Sequence, residues 1–499
     1  MEKNQIHILP GMPNDSNRDY LPEEIVGSDM VVNENGNNSQ VYPERLKEYR
    51  EKLADDLEDI WYEYVPESYH PDQKTPLVVS CHGGLMTGWG QCIYTSWSYV
   101  ADREGVIVVF PNAHKNRLWQ IEFDPRKKEE LSEPIPGLPQ IELKDGPVKD
   151  YHDVRFLLAL IKKMKQKYNI DSGKIYIQGM SMGNAMASQM VRHFGFLFAG
   201  AAGSGCPTDT GILFDDAGKV RNEGGPLDIM VSRLEHDKVP PYYSDSGKKT
   251  LMENYRYWCI VNKCDNLPKI HIQGDYNFVF FNGEIARFQI MDVKNRDHGQ
   301  TFDDAEYMWG YNFSGVRRSE DGTLLHTECS MDRSGDRVSL AVADGCEMAW
   351  VNHKLVLIGK NAFTWHKLKY HGLNGREIVR GEYLYAPVLF CASVFGADCV
   401  EEENGRVAIM VLSNGVRLQF AQGSIGCVVG NHVESMLCEA VYREKTLFLP
   451  IRWIAERFYN MHCSECEGVL YMTDHPAKLS TYTSWILKDL MGGDQNGIK

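Results

Sequence analysis

The chain has 499 residues, 43% of them hydrophobic and 24% charged, which is ample apolar material for real cores and too much chain for a single one. Its 53 basic and 68 acidic residues leave a net charge of −15, which repels phosphate backbones and anionic surfaces and argues against nucleic-acid and membrane partners. No apolar run reaches the roughly 18 residues a membrane helix needs.

Residues 1 to about 40 are polar ("NENGNNSQ") and are expected to form a loose arm. In "YPERLKEYREKLADDLEDIW" the spacing of Leu46, Tyr49, Leu53 and Leu57 predicts one amphipathic helix, closing an N-terminal segment at about residue 55. From there the pattern alternates. "TPLVVSCHGG" is a buried strand entering a Gly loop, "TSWSYVADREG" a helix, and "VIVVFPNA" a second buried strand. "DYHDVRFLLALIKKMKQKYNI" carries apolar residues at helical steps, and "KIYIQGMSMGNAMASQMVRHF" reads strand, turn, helix. "PLDIMVSRLEHDKVPPY" and "RFQIMDVKNRDHG" supply two later strands ending in polar loops. Alternation of this kind implies an α/β unit, a mainly parallel sheet with helices on both faces, over about 56–318. Ligands in such sheets sit beyond the carboxyl ends of the strands.

After about residue 319 strands and turns dominate, and a smaller α+β domain is expected to about 490. Inside it "YAPVLFCASVFGADCVEEENGRVAIM" is echoed by "FLPIRWIAERFYNMHCSECEGVLYMT", offset by 63 residues from Pro387 to Pro450. Each copy reads as a proline-led short helix followed by a hairpin. Thirteen cysteines without framework spacing suggest reduced thiols, and "MEKNQIHILPGMPNDS" lacks the basic start and apolar segment of a leader. A cytoplasmic location is expected, or a secreted or cell-surface one if a leader has been removed.

Gly179-Met180-Ser181-Met182-Gly183 fits GxSxG, in which small residues on both sides let the chain turn sharply from strand to helix and lift the serine hydroxyl above the sheet edge. A serine needs a base to take its proton, and of the sixteen histidines His298 in "NRDHGQTF" follows a strand late in the same unit. The acid that orients such a base should lie between them. "SRLEHDKVPPY" offers Asp237 and Glu235; Asp237, deeper in the loop and just before Val239-Pro240, is preferred and Glu235 stays open. Donors for an oxyanion come from "SCHGGLMTG", through Gly84 or Leu85, and from the Met182 amide at the helix start.

Together these residues resemble the α/β-hydrolase serine esterases of the polyhydroxybutyrate depolymerase and feruloyl esterase group. The matching pieces, in order, are "YEYVPESY", "PLVVSCHGG", "WSYVADREGVIVVFPNA", "DVRFLLALIKKMKQKYNIDSGKIYIQGMSMGNAMA", "FAGAAGSGCP", "RYWCIVNKC" and "DHGQTFDDAEYMWGYNF", over residues 60 to 315. The resemblance implies hydrolysis of a small-molecule ester, of aryl, feruloyl or hydroxyacyl type, through an acyl-enzyme on Ser181 without metal or cofactor. It also puts the chain order Ser, acid, His behind Ser181, Asp237 and His298. The family has Gly where this chain has Asn184, and an HG dipeptide where it has "SRLEH". Trp119 falls near a tryptophan lining the family's substrate cleft, beside Leu85, and is otherwise a core residue; residues 124–146 are a surface excursion or a lid. The repeat resembles stalk modules described as copper-amine-oxidase N-terminal-like, spacer or binding units without a copper site, through which chains could pair.

Other chemistries are poorly served. Cys463-x-x-Cys466 with His462 lacks the four ligands of a structural zinc, and Cys81 beside His82 reads as a buried strand residue. The rival function is a hydrolase-shaped binding protein whose second domain contacts carbohydrate or protein.

Overall fold

A computed structural model describes residues 42–115, 117–134, 140–237, 247–371 and 376–493. The arm expected over 1–40 lies outside the described residues, as do Val239 and Pro240. The chain divides into two units: one holds residues to 266, 280–291 and 295–333, the other 267–279, 292–294 and 334 onward.

In the first unit β1 (Leu46–Glu51), β2 (Asp59–Tyr64), β3 (Thr75–Cys81), β4 (Ile107–Pro111), β5 (Ile170–Met180), β6 (Gly200–Ser204) and β7 (Asp228–Leu234) share a sheet with β10 (Phe288–Val293), in the order β1-β2-β4-β3-β5-β6-β7-β10. β8 (Lys269–Gln273) and β9 (Tyr276–Phe281) intervene in sequence. The pairs β4–β3, β3–β5, β5–β6 and β6–β7 are parallel, whereas β1 and β2 pair antiparallel. The parallel strands are the buried apolar runs seen in the sequence: β3 and β4 expose almost nothing. Helices α1 (Gly88–Tyr94), α2 (Trp97–Glu104), α3 (Lys128–Ser132), α4 (His152–Lys167), α5 (Met182–Phe194), α6 (Thr210–Leu213), α7 (Gly247–Asn262) and α8 (Asp304–Tyr311) fill the connections. This is the α/β-hydrolase fold. Because the chain leaves β3 toward β4 on one side and β5 lies on the other, the crevice beyond β3 and β5 is where the sheet can receive a ligand.

The helix expected over 42–61 is not there. Its residues form β1, a turn and β2, in register from Leu46 opposite Tyr64 to Glu51 opposite Asp59. The charged residues that suggested a solvated helix face line an edge strand, and Tyr49 stacks on Trp61 with ring centroids 5.5 Å apart. Leu57, counted as part of the apolar stripe, is 41% exposed. Cross-strand aromatic packing on β2 outweighs a helical period carried by only four residues.

The second unit is α+β, and the repeat is visible in it. Pro387 leads into the helix Val388–Val394 and then the hairpin Asp398–Glu402/Val407–Val411. Pro450 leads likewise into the helix Ile451–Tyr459 and the hairpin His462–Cys466/Val469–Thr473. Proline suits a helix start, where its missing N–H has no intrahelical partner to lose. Both copies bury their helices in one core containing Val388, Cys391, Ile451, Ile454, Leu470 and Met472.

Candidate active site

β5 ends at Met180 and α5 starts at Met182, so one residue must reverse the chain. That residue is Ser181, at φ 54° and ψ −121°, a conformation that costs an L-residue about 1–3 kcal/mol. Its N–H donates to the Ser204 carbonyl (2.8 Å), and its own carbonyl accepts from the Asn184 and Ala185 amides. The flanking glycines are obligatory for contact reasons. A Cβ on Gly179 would lie 2.0 Å from the Gly183 carbonyl oxygen, and one on Gly183 would lie 2.2 Å from that of Cys81.

The loop after β10 brings His298 over this turn, with Nε2 2.8 Å from Ser181 Oγ. On its other side Nδ1 lies 3.0 Å from Asp237 Oδ2. With Nδ1–H donating to the carboxylate, Nε2 is the acceptor for the serine hydroxyl. The Asp237 side chain is 1% exposed, His298 23%. Ser181, Asp237 and His298 therefore meet although they lie far apart in sequence. Glu235, the other acid considered, does something else: its carboxylate accepts the Asn295 amide (3.1 Å), and next to it the His236 amide donates to the Arg296 carbonyl (2.7 Å). These bonds stitch the acid loop to the histidine loop.

Several positioning groups had no local signature in the sequence. Gln300 sits in a buried amide ladder, its Nε2 3.2 Å from Gln178 Oε1 and its Oε1 3.2 Å from Gln91 Nε2, while its backbone N–H donates to Tyr94 OH (2.8 Å). Ser204 Oγ donates to the Gly299 carbonyl. The histidine loop is thus tied to the sheet one and two residues beyond His298. Asn184 donates from Nδ2 to the Gly205 carbonyl (2.5 Å), and Gly205 itself packs against the His298 ring. Gln300→Ala should lower kcat about tenfold by loosening His298, and cost about 1–3 kcal/mol by orphaning two buried amide groups. Steady-state kinetics and urea unfolding check both; an unchanged kcat would show that the ladder does not position the histidine.

Asp304, at the start of α8 in the same loop region, accepts a hydrogen bond from Thr301 Oγ1. Burial pushes its carboxyl up to about 7, with Asp303 adding to the effect. The folded chain therefore holds a proton that the unfolded chain has released above about pH 4, so stability from this group falls as pH rises from about 4 to 7. Asp304→Asn should remove that slope and raise Tm at pH 8 relative to pH 5, which thermal unfolding at the two pH values measures.

Gly84 and Met182 come together: a Cβ on Gly84 would lie 3.1 Å from Met182 Sδ. Met182 is the first residue of α5, so its N–H has no intrahelical carbonyl to serve. Leu85 is not available as a donor, because its N–H is engaged by the Arg117 carbonyl (3.0 Å) and its φ is 66°. Trp119 is not in the cleft. It is 1% exposed, its indole N–H donates to the His82 carbonyl (2.8 Å) and its ring packs on His82, so it supports the glycine loop from below. Burial lowers the His82 pKa to about 4, keeping the imidazole neutral as acceptor for the Ala113 amide (2.9 Å). Burial also pushes the Cys81 thiol up, in keeping with an inert strand residue. Leu131, Ile141 and Leu143 of the 124–146 tract line a cleft together with Ala185 and Cys206, close in sequence to Ser181 and Gly205.

No protein-family model matches the chain. A bifunctional acetylxylan esterase/xylanase, XynS20E from Neocallimastix patriciarum, is 26% identical over 120 residues, 24% of this chain and 14% of that protein's length. Among solved structures, acetyl xylan esterase from Aspergillus awamori is similar at 16% identity, covering 54% of this chain and 98% of its own, with a TM-score of 0.37. A thermostable esterase covers 54% of this chain and 58% of its own at 18% identity and a TM-score of 0.33. FphF, a fluorophosphonate-binding serine hydrolase from Staphylococcus aureus, covers 52% and 93% at 13% identity and a TM-score of 0.32. Among the described residues no helix is long and apolar enough to cross a membrane.

Proposed function

We propose that this chain is a serine esterase that hydrolyses carboxylic esters through an acyl-enzyme on Ser181. The observation that carries the reading is the relay of Asp237, His298 and Ser181, closed at 3.0 and 2.8 Å on a strained strand-to-helix turn. Ser181 Oγ attacks the ester carbonyl carbon while His298 Nε2 takes its proton; Asp237 stabilises the imidazolium. The carbonyl oxygen becomes an oxyanion that accepts from the Met182 and Gly84 amides. Collapse expels the alcohol, which takes the proton from His298. Water then repeats the attack on the acyl-enzyme and releases the acid. Apart from substrate and water, each of these steps draws on side chains and amides of the protein.

The acyl group is proposed to be acetyl, or a small aryl, feruloyl-type or hydroxyacyl group. The name of the Neocallimastix relative supports the acetyl member of that set, and the motif order supports the polyhydroxybutyrate depolymerase and feruloyl esterase group. The second unit is proposed to act as a stalk-like spacer or binding module through which chains can pair. Its role as the sole function, with a relic hydrolase site beside it, is disfavoured because decay would be expected to erase at least one member of the relay. A panel of para-nitrophenyl acetate, para-nitrophenyl butyrate, methyl ferulate, a hydroxybutyrate oligomer and acetylated xylan tests the proposal. Turnover of at least one, with labelling by a fluorophosphonate probe, is expected; no turnover and no labelling would overturn it.

A further inference from the structure

We propose that Asp59, His114 and His152 form a divalent-cation site of the zinc class, separate from the Ser181 relay. The three residues come from the start of β2, the loop after β4 and the first turn of α4, and they offer one oxygen and two ring nitrogens within 4.8 Å of one another. Asp59 Oδ1 and His152 Nε2 already face each other at 2.8 Å, and the His114 and His152 rings lie 4.7 Å apart. Ligands at about 2.0–2.2 Å from a tetrahedral zinc stand about 3.3 Å from each other, so a cation entering between these donors needs only small shifts of side chains.

The surroundings are those of a metal site and not merely of a buried ion pair. The outer nitrogen of His152, Nδ1, bonds to Asp55 Oδ2 (2.9 Å), which fixes the ring so that Nε2 points inward, the arrangement by which carboxylates support metal-bound imidazoles. The far oxygen of Asp59, Oδ2, accepts the Leu53 and Ala54 amides, both at 2.9 Å, leaving Oδ1 for the centre. Asp153 adds a third carboxylate close by, buried and accepting the His114 amide (3.2 Å), while Arg155 offsets Asp55 alone. The Asp59 and His152 side chains are 1% and 5% exposed, whereas His114 is exposed, so a closed pair of donors sits beneath an open entry. Two imidazoles and one carboxylate with an open fourth position suit zinc above calcium or magnesium, which prefer oxygen alone.

On binding, the cation displaces the proton that His152 Nε2 shares with Asp59 and ties α4 to β2 and the loop after β4, which are themselves joined through the backbone, the Asn112 amide donating to the Ile60 carbonyl (2.9 Å). His114 is next to Ala113, whose amide holds His82 ahead of the Gly83–Gly84 loop, so the clamp would brace the support of that loop.

The test is titration of the chelator-stripped full chain with Zn²⁺ and with Co²⁺, followed by calorimetry, absorbance and thermal unfolding. One Zn²⁺ per chain at micromolar affinity or tighter is expected, with a rise in Tm, and Co²⁺ should give visible d–d bands without thiolate charge transfer. His114→Ala, an exposed position, should weaken binding at least about 100-fold and abolish the Tm rise, and Asp55→Asn should weaken it about 10–100-fold. Absence of stoichiometric binding, a thiolate signature, or a His114→Ala protein that binds like the wild type would overturn the proposal. None of these readouts depends on esterase activity, so the site stands or falls apart from Ser181.

Discussion

Ser181→Ala should lower para-nitrophenyl acetate turnover by about 10⁴–10⁶-fold in kcat and abolish fluorophosphonate labelling, with the fold intact. The size follows from what is removed. His298 Nε2 would lose the hydroxyl 2.8 Å away, no acyl-enzyme could form, and only binding and oxyanion donors would remain to act on water. Retention of the fold follows from the backbone. Ser181 holds its turn through main-chain bonds to Ser204, Asn184 and Ala185, which alanine keeps. Alanine meets the same positive-φ strain as serine, so it adds no new backbone cost. Steady-state rates, labelling and circular dichroism measured on both proteins decide the matter; equal rates, with the probe still attached elsewhere, would remove Ser181 from the chemistry.

The strand-turn-helix around Ser181 was legible because three local signals agree: a buried apolar strand, glycines at both flanks of the serine, and a helical period resuming at once. Asp237 could be preferred only by its depth in the loop, and the reason it is the partner is long-range. The loop bonds through Glu235 and His236 set which acid faces His298. The sequence around β1 points to a helix because four apolar residues fall at helical spacing, whereas pairing with β2, a partner that a local window does not contain, carries more weight. Trp119 was ambiguous because a large aromatic can pack above or below a glycine loop, and only the His82 carbonyl decides for below. The ladder of Gln91, Gln300 and Gln178 and the grouping of Asp59, His114 and His152 join positions up to about two hundred residues apart, with no spacing to announce them. What tertiary pairing creates, local periodicity does not encode.

The two acids of the loop after β7 should separate sharply. Asp237→Ala is expected to lower kcat by about 10³–10⁴-fold, whereas Glu235→Ala should cost less than about tenfold. Without the Asp237 carboxylate, Nδ1 loses its acceptor at 3.0 Å, the ring is free to place its proton on Nε2, and the imidazolium formed in the attack has no buried counter-charge. Glu235 Oε2 holds the Asn295 amide, three residues before His298. Its loss should therefore make the loop less ordered, with the relay still assembled in most molecules and the neighbouring His236 amide still donating to Arg296. The comparison is best made with para-nitrophenyl acetate at saturating concentration, alongside unfolding curves to separate positioning from stability. If Glu235→Ala were the inactive protein and Asp237→Ala the active one, the acid would have to be reassigned and the loop would have to rearrange on binding substrate. If both lost activity equally with wild-type stability, the proton relay would depend on the stitched loops as a unit and not on a single carboxylate.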